Sequence, residues 1–102
     1  MDVFCIPNKV QIKKSTNSKK KLMAIFTLKN GKEKTIHFGA AGYSDFTEHK
    51  DEDRKQRYVH RHQAREDWNN PMSAGALSRY ILWDSPCLKE NIKLFKVRFN
   101  LK

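Results

Sequence analysis

The run L-M-A-I-F-T-L-K at 22–29 and the run K-E-K-T-I-H-F at 32–38 flank an Asn30-Gly31 pair. Asn-Gly is the preferred pair for a two-residue type I′ turn, because both central residues need positive φ and the turn's twist suits the flanking strands. The pattern predicts a β-hairpin over 22–38 in which Lys29 faces Lys32, Ile25 faces Ile36 and Met23 faces Phe38. That register gathers Met23, Ile25, Ile36 and Phe38 on one face and sets Thr35 against Phe26 on the other. Upstream, Val3-Phe4-Cys5-Ile6 reads as a short strand, Pro7-Asn8 as a turn, and the residues to Ile12 as a second extended piece. K-K-S-T-N-S-K-K-K at 13–21 has no apolar side chain and reads as an exposed, mobile loop.

Beyond the hairpin, Gly39 and Gly42 stand where the chain leaves the second strand, and 39–47 reads as a structured, glycine-containing loop. Thr47 is expected to cap a helix that carries Glu48, Asp51, Glu52 and Asp53 near its positive end and runs to about Asp67, before Asn69-Asn70-Pro71 stops it. A second helix is expected from Ser73 to about Asp84, with Leu77, Tyr80 and Ile81 on one face and Gly75 as its weak point. A third opens with Ser85 as cap and Pro86 in its first turn, and sets Leu88, Ile92, Phe95 and Phe99 on one buried stripe. The expected fold class is α+β: an N-terminal hairpin, extended to a three-stranded antiparallel sheet if the first segment joins it, with three helices on one sheet face. The expected organisation is one domain over 1–102: a lysine-rich extended segment at 1–21, the hairpin at 22–38, the loop at 39–47 and a helical part at 48–102.

Charge changes this picture more than length does. The 102 residues carry 21 Lys and Arg against 11 Asp and Glu, a formal net charge of +10. Such an excess produces a positive potential that attracts phosphates. Nine of the lysines lie within residues 1–38 beside only two acids, so the N-terminal third is the main source of the field. The two cysteines, Cys5 and Cys87, have no metal-type spacing and are expected as reduced thiols of an intracellular protein. Asp2 and Pro7-Asn8 argue against a secretory leader, and no apolar run approaches the ~18 residues of a membrane span, so a soluble protein in cytoplasm or nucleus is expected.

The first helix holds the candidate chemistry. At about 100° per residue, Lys50, Arg54, Arg57, Arg61 and Arg65 fall within roughly one quarter of its circumference. Like charges at i, i+4 repel, so the stripe calls for an explanation. One is a ridge that tracks phosphates, for which the planar, permanently charged guanidinium is suited. The second is a solvated face, and the third is pairing of one or two of these arginines with Asp45 or Asp84. Lys13, Lys14, Lys19, Lys20 and Lys21 invite a parallel choice between contact with a nucleic-acid backbone through counterion release and simple solubilisation.

Other chemistry is less well supported. His60 and His62 lie about 200° apart around a helix, His49 and Asp51 are also poorly spaced, and His37 has no partner motif, so no metal or other cofactor is expected. His62 is expected to pack or bond beside Tyr58. Asp45 and His49, with Ser44 or Tyr43 near them, are the best catalytic candidates, but Asp45 better suits bonds to backbone amides where the chain turns into the helix that Thr47 caps, and no catalytic residue is assigned. Tyr43, Phe46 and Trp68 border the basic helix and are candidates for stacking on unpaired bases.

A-I-F at 24–26, H-F-G-A-A-G-Y-S-D-F-T-E-H-K-D at 37–51, Y-V-H-R-H at 58–62, N-P-M-S-A-G-A-L-S-R-Y-I-L-W at 70–83 and N-I-K-L-F-K-V-R-F at 91–99 resemble a family of small basic uncharacterised proteins of large double-stranded DNA viruses with algal and amoebal hosts, and of algae. The resemblance covers residues 24–99 and singles out Gly39, Gly42, Asp45, His49, Tyr58, Arg61 and His62 without assigning them roles. It implies a viral protein, in the host cell or the virion. The leading expectation is a nucleic-acid-binding protein, with DNA ahead of RNA, that contacts phosphate with little sequence specificity through Lys13, Lys14, Lys19, Lys20, Lys21, Lys50, Arg54, Arg57, Arg61 and Arg65. The alternatives are a minor virion component that binds acidic protein surfaces, and a small enzyme or nuclease accessory. No membrane partner is expected, and no oligomeric state is assigned.

Overall fold

The computed structural model describes residues 6–102, so the strand expected at 3–6 lies almost wholly outside the described residues. Three antiparallel strands, β1 (Pro7–Lys14), β2 (Lys20–Leu28) and β3 (Glu33–Ala40), form a sheet in the order β1-β2-β3. The segment 13–21, expected as a mobile loop, is instead two strand ends and a tight turn. Lys13 and Lys14 pair with Met23 and Leu22 in β1, and Lys20 and Lys21 belong to β2. Ser15 and Asn17 build the turn, their side chains accepting from the backbone N–H groups of Asn17 and Lys19 at 3.0 Å each. Polar residues thus specify structure here through their own backbone hydrogen bonds.

The β2–β3 hairpin is present, but its register differs by one residue from that expected. Ala24 faces Ile36, Ile25 faces Thr35 and Leu22 faces Phe38. Gly31 is at φ 87° while Asn30 is not left-handed, which excludes a type I′ turn. Gly31 N–H donates to the Leu28 carbonyl at 2.9 Å, and Leu28 N–H to the Lys32 carbonyl at 2.8 Å. This is a three-residue connection, a turn followed by a left-handed glycine, which needs positive φ only where glycine stands. The slip turns Ala24 and Phe26 inward in place of Met23 and Ile25.

Four α-helices follow, rather than three: α1 (Phe46–His49), α2 (Glu52–His62), α3 (Ala74–Leu77) and α4 (Leu88–Arg98). Lys50, left-handed at φ 56°, separates α1 from α2, and Asp51 caps α2 by accepting from the N–H groups of Asp53 and Arg54. The cap of α1 is Asp45, not Thr47. The expected first helix is therefore two helices, and it ends at His62, about a turn earlier than expected. α3 passes directly into one wide turn, Ser78–Leu82, closed by Trp83 N–H to the Ser78 carbonyl at 3.1 Å. Cys87, not Ser85, stands at the N-cap of α4.

The core lies between one sheet face and the later helices. Val10, Ala24, Phe26 and Phe38 meet Leu77, Ile81, Leu82, Phe95 and Leu101. Phe95 is buried as expected, while Leu88 is exposed, and Asn91, one turn before Phe95, takes an inward position. Its amide donates to the carbonyls of Ile81 and Ser85 at 2.8 Å, and its oxygen accepts from Ser85 N–H and hydroxyl. These bonds compensate its burial and pin the connection between the wide turn and α4. At the far side Lys102 bonds the edge of β1, donating to the Asn8 carbonyl and accepting from Val10 N–H. No helix among the described residues is long and apolar enough to cross a membrane.

Candidate functional site

α2 is held to the domain by few apolar contacts, and its one buried residue is Tyr58. The Tyr58 ring lies parallel to Trp83 at 4.3 Å, with His62 stacked on its other face at 4.3 Å. His49 meets Trp83 at 5.2 Å with its plane tilted by 57°, extending the ring cluster from His62 to His49. Burial, with Glu66 adding its charge, pushes the Tyr58 hydroxyl far above the usual phenol range, so the ring is neutral. Lys55 adds a donor to the Asp84 carbonyl at 2.6 Å. His49 Nδ1 accepts from Asp51 N–H at 2.9 Å, and its buried Nε2 has no partner.

A second anchor ties the start of α1 to the sheet. Lys21 Nζ donates to Asp45 at 2.7 Å and to Glu48 at 2.5 Å, tying β2 to the start of α1. Asp45 also accepts from Thr47 N–H at 2.9 Å and from the Thr47 hydroxyl. Burial alone would raise the Asp45 carboxyl, but its hydrogen bonds to Lys21 and Thr47 and the Lys21 charge hold it below the usual carboxylate range. Burial would likewise lower Lys21, and the two carboxylates outweigh it, so the ammonium is held above its ordinary value. Asp45 was a candidate partner for an arginine of the stripe, and it takes Lys21 instead. Asp84, the other candidate, pairs with Arg79 at 3.5 Å.

Between these anchors is an open cleft of about 640 Å³. One wall is α2, with Arg54, Arg57 and Arg61 along it and Tyr58 and His62 behind. The opposite side is the end of β2 and β3 with Lys20 and Gly39, and loop residues Tyr43, Ser44 and Asp45. Gly75, Ser78 and Trp83 line the floor. Gly39 is needed for close approach: at φ 78°, a Cβ there would stand 2.7 Å from Leu82 Cδ1. At Gly75 a Cβ would stand 2.8 Å from Glu66 Oε2, so a larger residue there would displace the Glu66 side chain.

The cleft's acids are already engaged. Asp45 holds Lys21, and Glu66 accepts from Trp68 Nε1 at 2.9 Å and bonds His62 Nδ1 at 3.0 Å. Among the described residues, Arg54, Arg57, Arg61 and Lys20 form no ion pair. The five-cation stripe is thus three arginines on a cleft wall. Lys50 lies in the break before α2 and Arg65 in the turn after it, and neither lines the cleft. Lys13, Lys14 and Lys19 are exposed on or beside the β1–β2 turn, away from the cleft lining, and Lys21 is committed to its carboxylates. Of the family-motif positions, Gly39, Asp45, Tyr58 and His62 meet at the cleft, whereas Gly42 lies outside its lining and His49 closes the ring cluster behind it. Among the described residues no group of three or more His, Cys, Asp or Glu side chains is placed to hold a metal ion.

The helical spacing put Arg54, Arg57 and Arg61 on one face, but nothing in the sequence pointed to the cleft that they line. The 20–40 and 74–83 segments come together through the core, and α2 joins them through the Tyr58–Trp83 stack, which no local pattern encodes.

In class the molecule is an α+β domain, a three-stranded antiparallel sheet followed by helices, with a cationic cleft at one end of the sheet. Residues 10–62, from β1 through α2, match the model of a family described as "Family of unknown function (DUF5754)", and the chain belongs to that family. No curated protein and no solved structure matches it.

Proposed function

We propose that the protein binds nucleic acid through its phosphates, with little sequence preference, using the cleft formed by α2 and the β2–β3 end. The observation that carries this reading is the convergence of Arg54, Arg57, Arg61 and Lys20 on one concavity whose carboxylates already have other partners. Three guanidinium groups on one short helix repel one another in the free protein, and a polyanion relieves that repulsion. Phosphate contacts position a ligand without reading its bases, so unrelated sequences bind alike. A viral, genome-associated role is part of this proposal, in which a net charge of +10 serves charge neutralisation.

A polarisation titration over a salt series tests this. If the four cleft cations each displace one counterion, log K falls against log salt with a slope of about −3.6 on duplex and about −2.8 on single strands. Arg57→Gln with Arg61→Gln keeps helix propensity and side-chain length nearly intact. That double variant is expected to lower the slope by about 1.4–1.8, equally for unrelated sequences. A folded double variant that binds like wild type would leave the arginines as a solvated face, with acidic protein surfaces as the next partners to assay.

A further inference from the structure

Resting on that nucleic-acid reading, we infer that the cleft takes a single strand rather than a duplex, and that Tyr43 is the platform on which one base stacks. The first ground is shape. The arginines line an open cleft of about 640 Å³, within the range of about 300–1,000 Å³ of small-molecule sites. Duplex is ordinarily read by a convex element, a helix or ribbon that enters a groove about 12 Å wide. Here Arg54, Arg57 and Arg61 are exposed but line one wall of a cleft whose other side is the β2–β3 end, so a single strand lying along the cleft keeps all three within reach.

The second ground is the state of the aromatic rings. Proteins that bind single strands combine a cationic groove with exposed ring faces on which bases stack. Most aromatic rings near this cleft are already occupied. Tyr58 has His62 on one face and Trp83 on the other, and Trp83 has His49 beyond. Phe38 and Phe46 are buried, and Trp68 faces Arg79 with its N–H engaged by Glu66. Tyr43 differs: it lines the cleft, is 74% exposed, and has no ring or cation neighbour among the described residues. It sits on the loop that leaves β3 between Gly42, at φ 88°, and Asp45, which is fixed by Lys21. The loop base is therefore anchored while the ring projects at the mouth. Phosphates on Arg54, Arg57 and Arg61 and a base on Tyr43 are the two halves of one nucleotide-binding arrangement.

The test compares three labelled ligands of matched phosphate number at one salt concentration: a mixed-sequence deoxyoligonucleotide, a duplex of about half its length, and an abasic strand of its own length. Wild type is expected to bind the single strand at least about tenfold more tightly than the duplex. Tyr43→Ala, a substitution at an exposed ring, is expected to weaken the base-bearing strand by roughly 5- to 100-fold and to leave the abasic strand within about twofold. Tyr43→Phe restores binding if stacking is the contact. Equal affinity for strand and duplex, or no response of the strand to Tyr43→Ala, overturns this inference while salt-dependent binding keeps the parent reading intact. Equal weakening of the abasic strand also overturns it, since Tyr43 would then support the loop and not a base. Failure of all three ligands to bind overturns the parent reading itself.

Discussion

Asp45 shows how much one side chain carries in this domain. It is 3% exposed, caps α1 through Thr47 N–H, and holds Lys21 across 24 positions of sequence. Its carboxyl is held low and the Lys21 ammonium high, so the pair stabilises the fold between the two titrations. A depressed carboxyl contributes stability above its unfolded value and loses it as pH falls through the folded value. A raised ammonium contributes below its unfolded value and loses it as pH rises through the folded one. Asp45→Asn keeps an acceptor for the cap but removes the charge, and is expected to cost about 2 kcal/mol near neutral pH, the range of a charged hydrogen bond. Chemical denaturation at neutral and at acid pH checks this: the gap between variant and wild type should close as the acid limb is reached. That Asp45 bonds backbone amides was legible from its place before a helix; that it, and not Thr47, caps α1 and that Lys21 is its partner was not. Lys21 sat in a lysine run that favoured a solvated loop, and only the pairing of β2 with β3 sets it opposite α1.

At the scale of elements, the strands and α4 were readable, whereas their exact contacts depended on neighbours. The segment L-M-A-I-F-T-L is apolar at both parities, so either face of β2 could be turned inward. Small Ala24 and large Phe26 fit beneath Leu77, Ile81 and Phe95, and a single left-handed glycine at the turn accommodates that choice. The helix stripe was read correctly at Phe95 and missed Asn91, because a polar residue on an apolar stripe is invisible until its partners at Ile81 and Ser85 are known. Phe95→Ala is expected to lower stability by about 3–5 kcal/mol, and exposed Lys93→Ala to change it by no more than about 0.5 kcal/mol. Urea unfolding of the two variants measures the contrast, and equal small losses would mean that α4 presents another face to the core.

For the whole molecule, net charge works against the fold. The ion pairs among the described residues are those of Lys21 with Asp45 and Glu48, His62 with Glu66, and Arg79 with Asp84. Against a net charge of +10, these leave most cations facing only solvent and one another. Raising ionic strength from about 0.01 M to about 0.15 M shortens the screening length from about 30 Å to about 8 Å. Repulsion between exposed charges is screened more than the partly buried pairs are, so Tm is expected to rise by about 2–5 °C. Calorimetry over that salt range tests the balance, and a falling Tm would show that the few pairs outweigh the excess charge.

By itself the sequence determined the class of fold, the presence of the hairpin and helices, the glycine-bearing loop after the second strand, and the cationic character of the chain. Each of these follows from local pattern: apolar alternation, turn residues, caps and charge count. Tertiary structure decided the strand register, the break at Lys50, the partner of Asp45 and the turning of Arg54, Arg57 and Arg61 into a cleft. Those outcomes depend on which surfaces meet. A helix with one buried ring takes its orientation from what that ring stacks on, and the partner of Tyr58 is Trp83, twenty-five residues further along the chain.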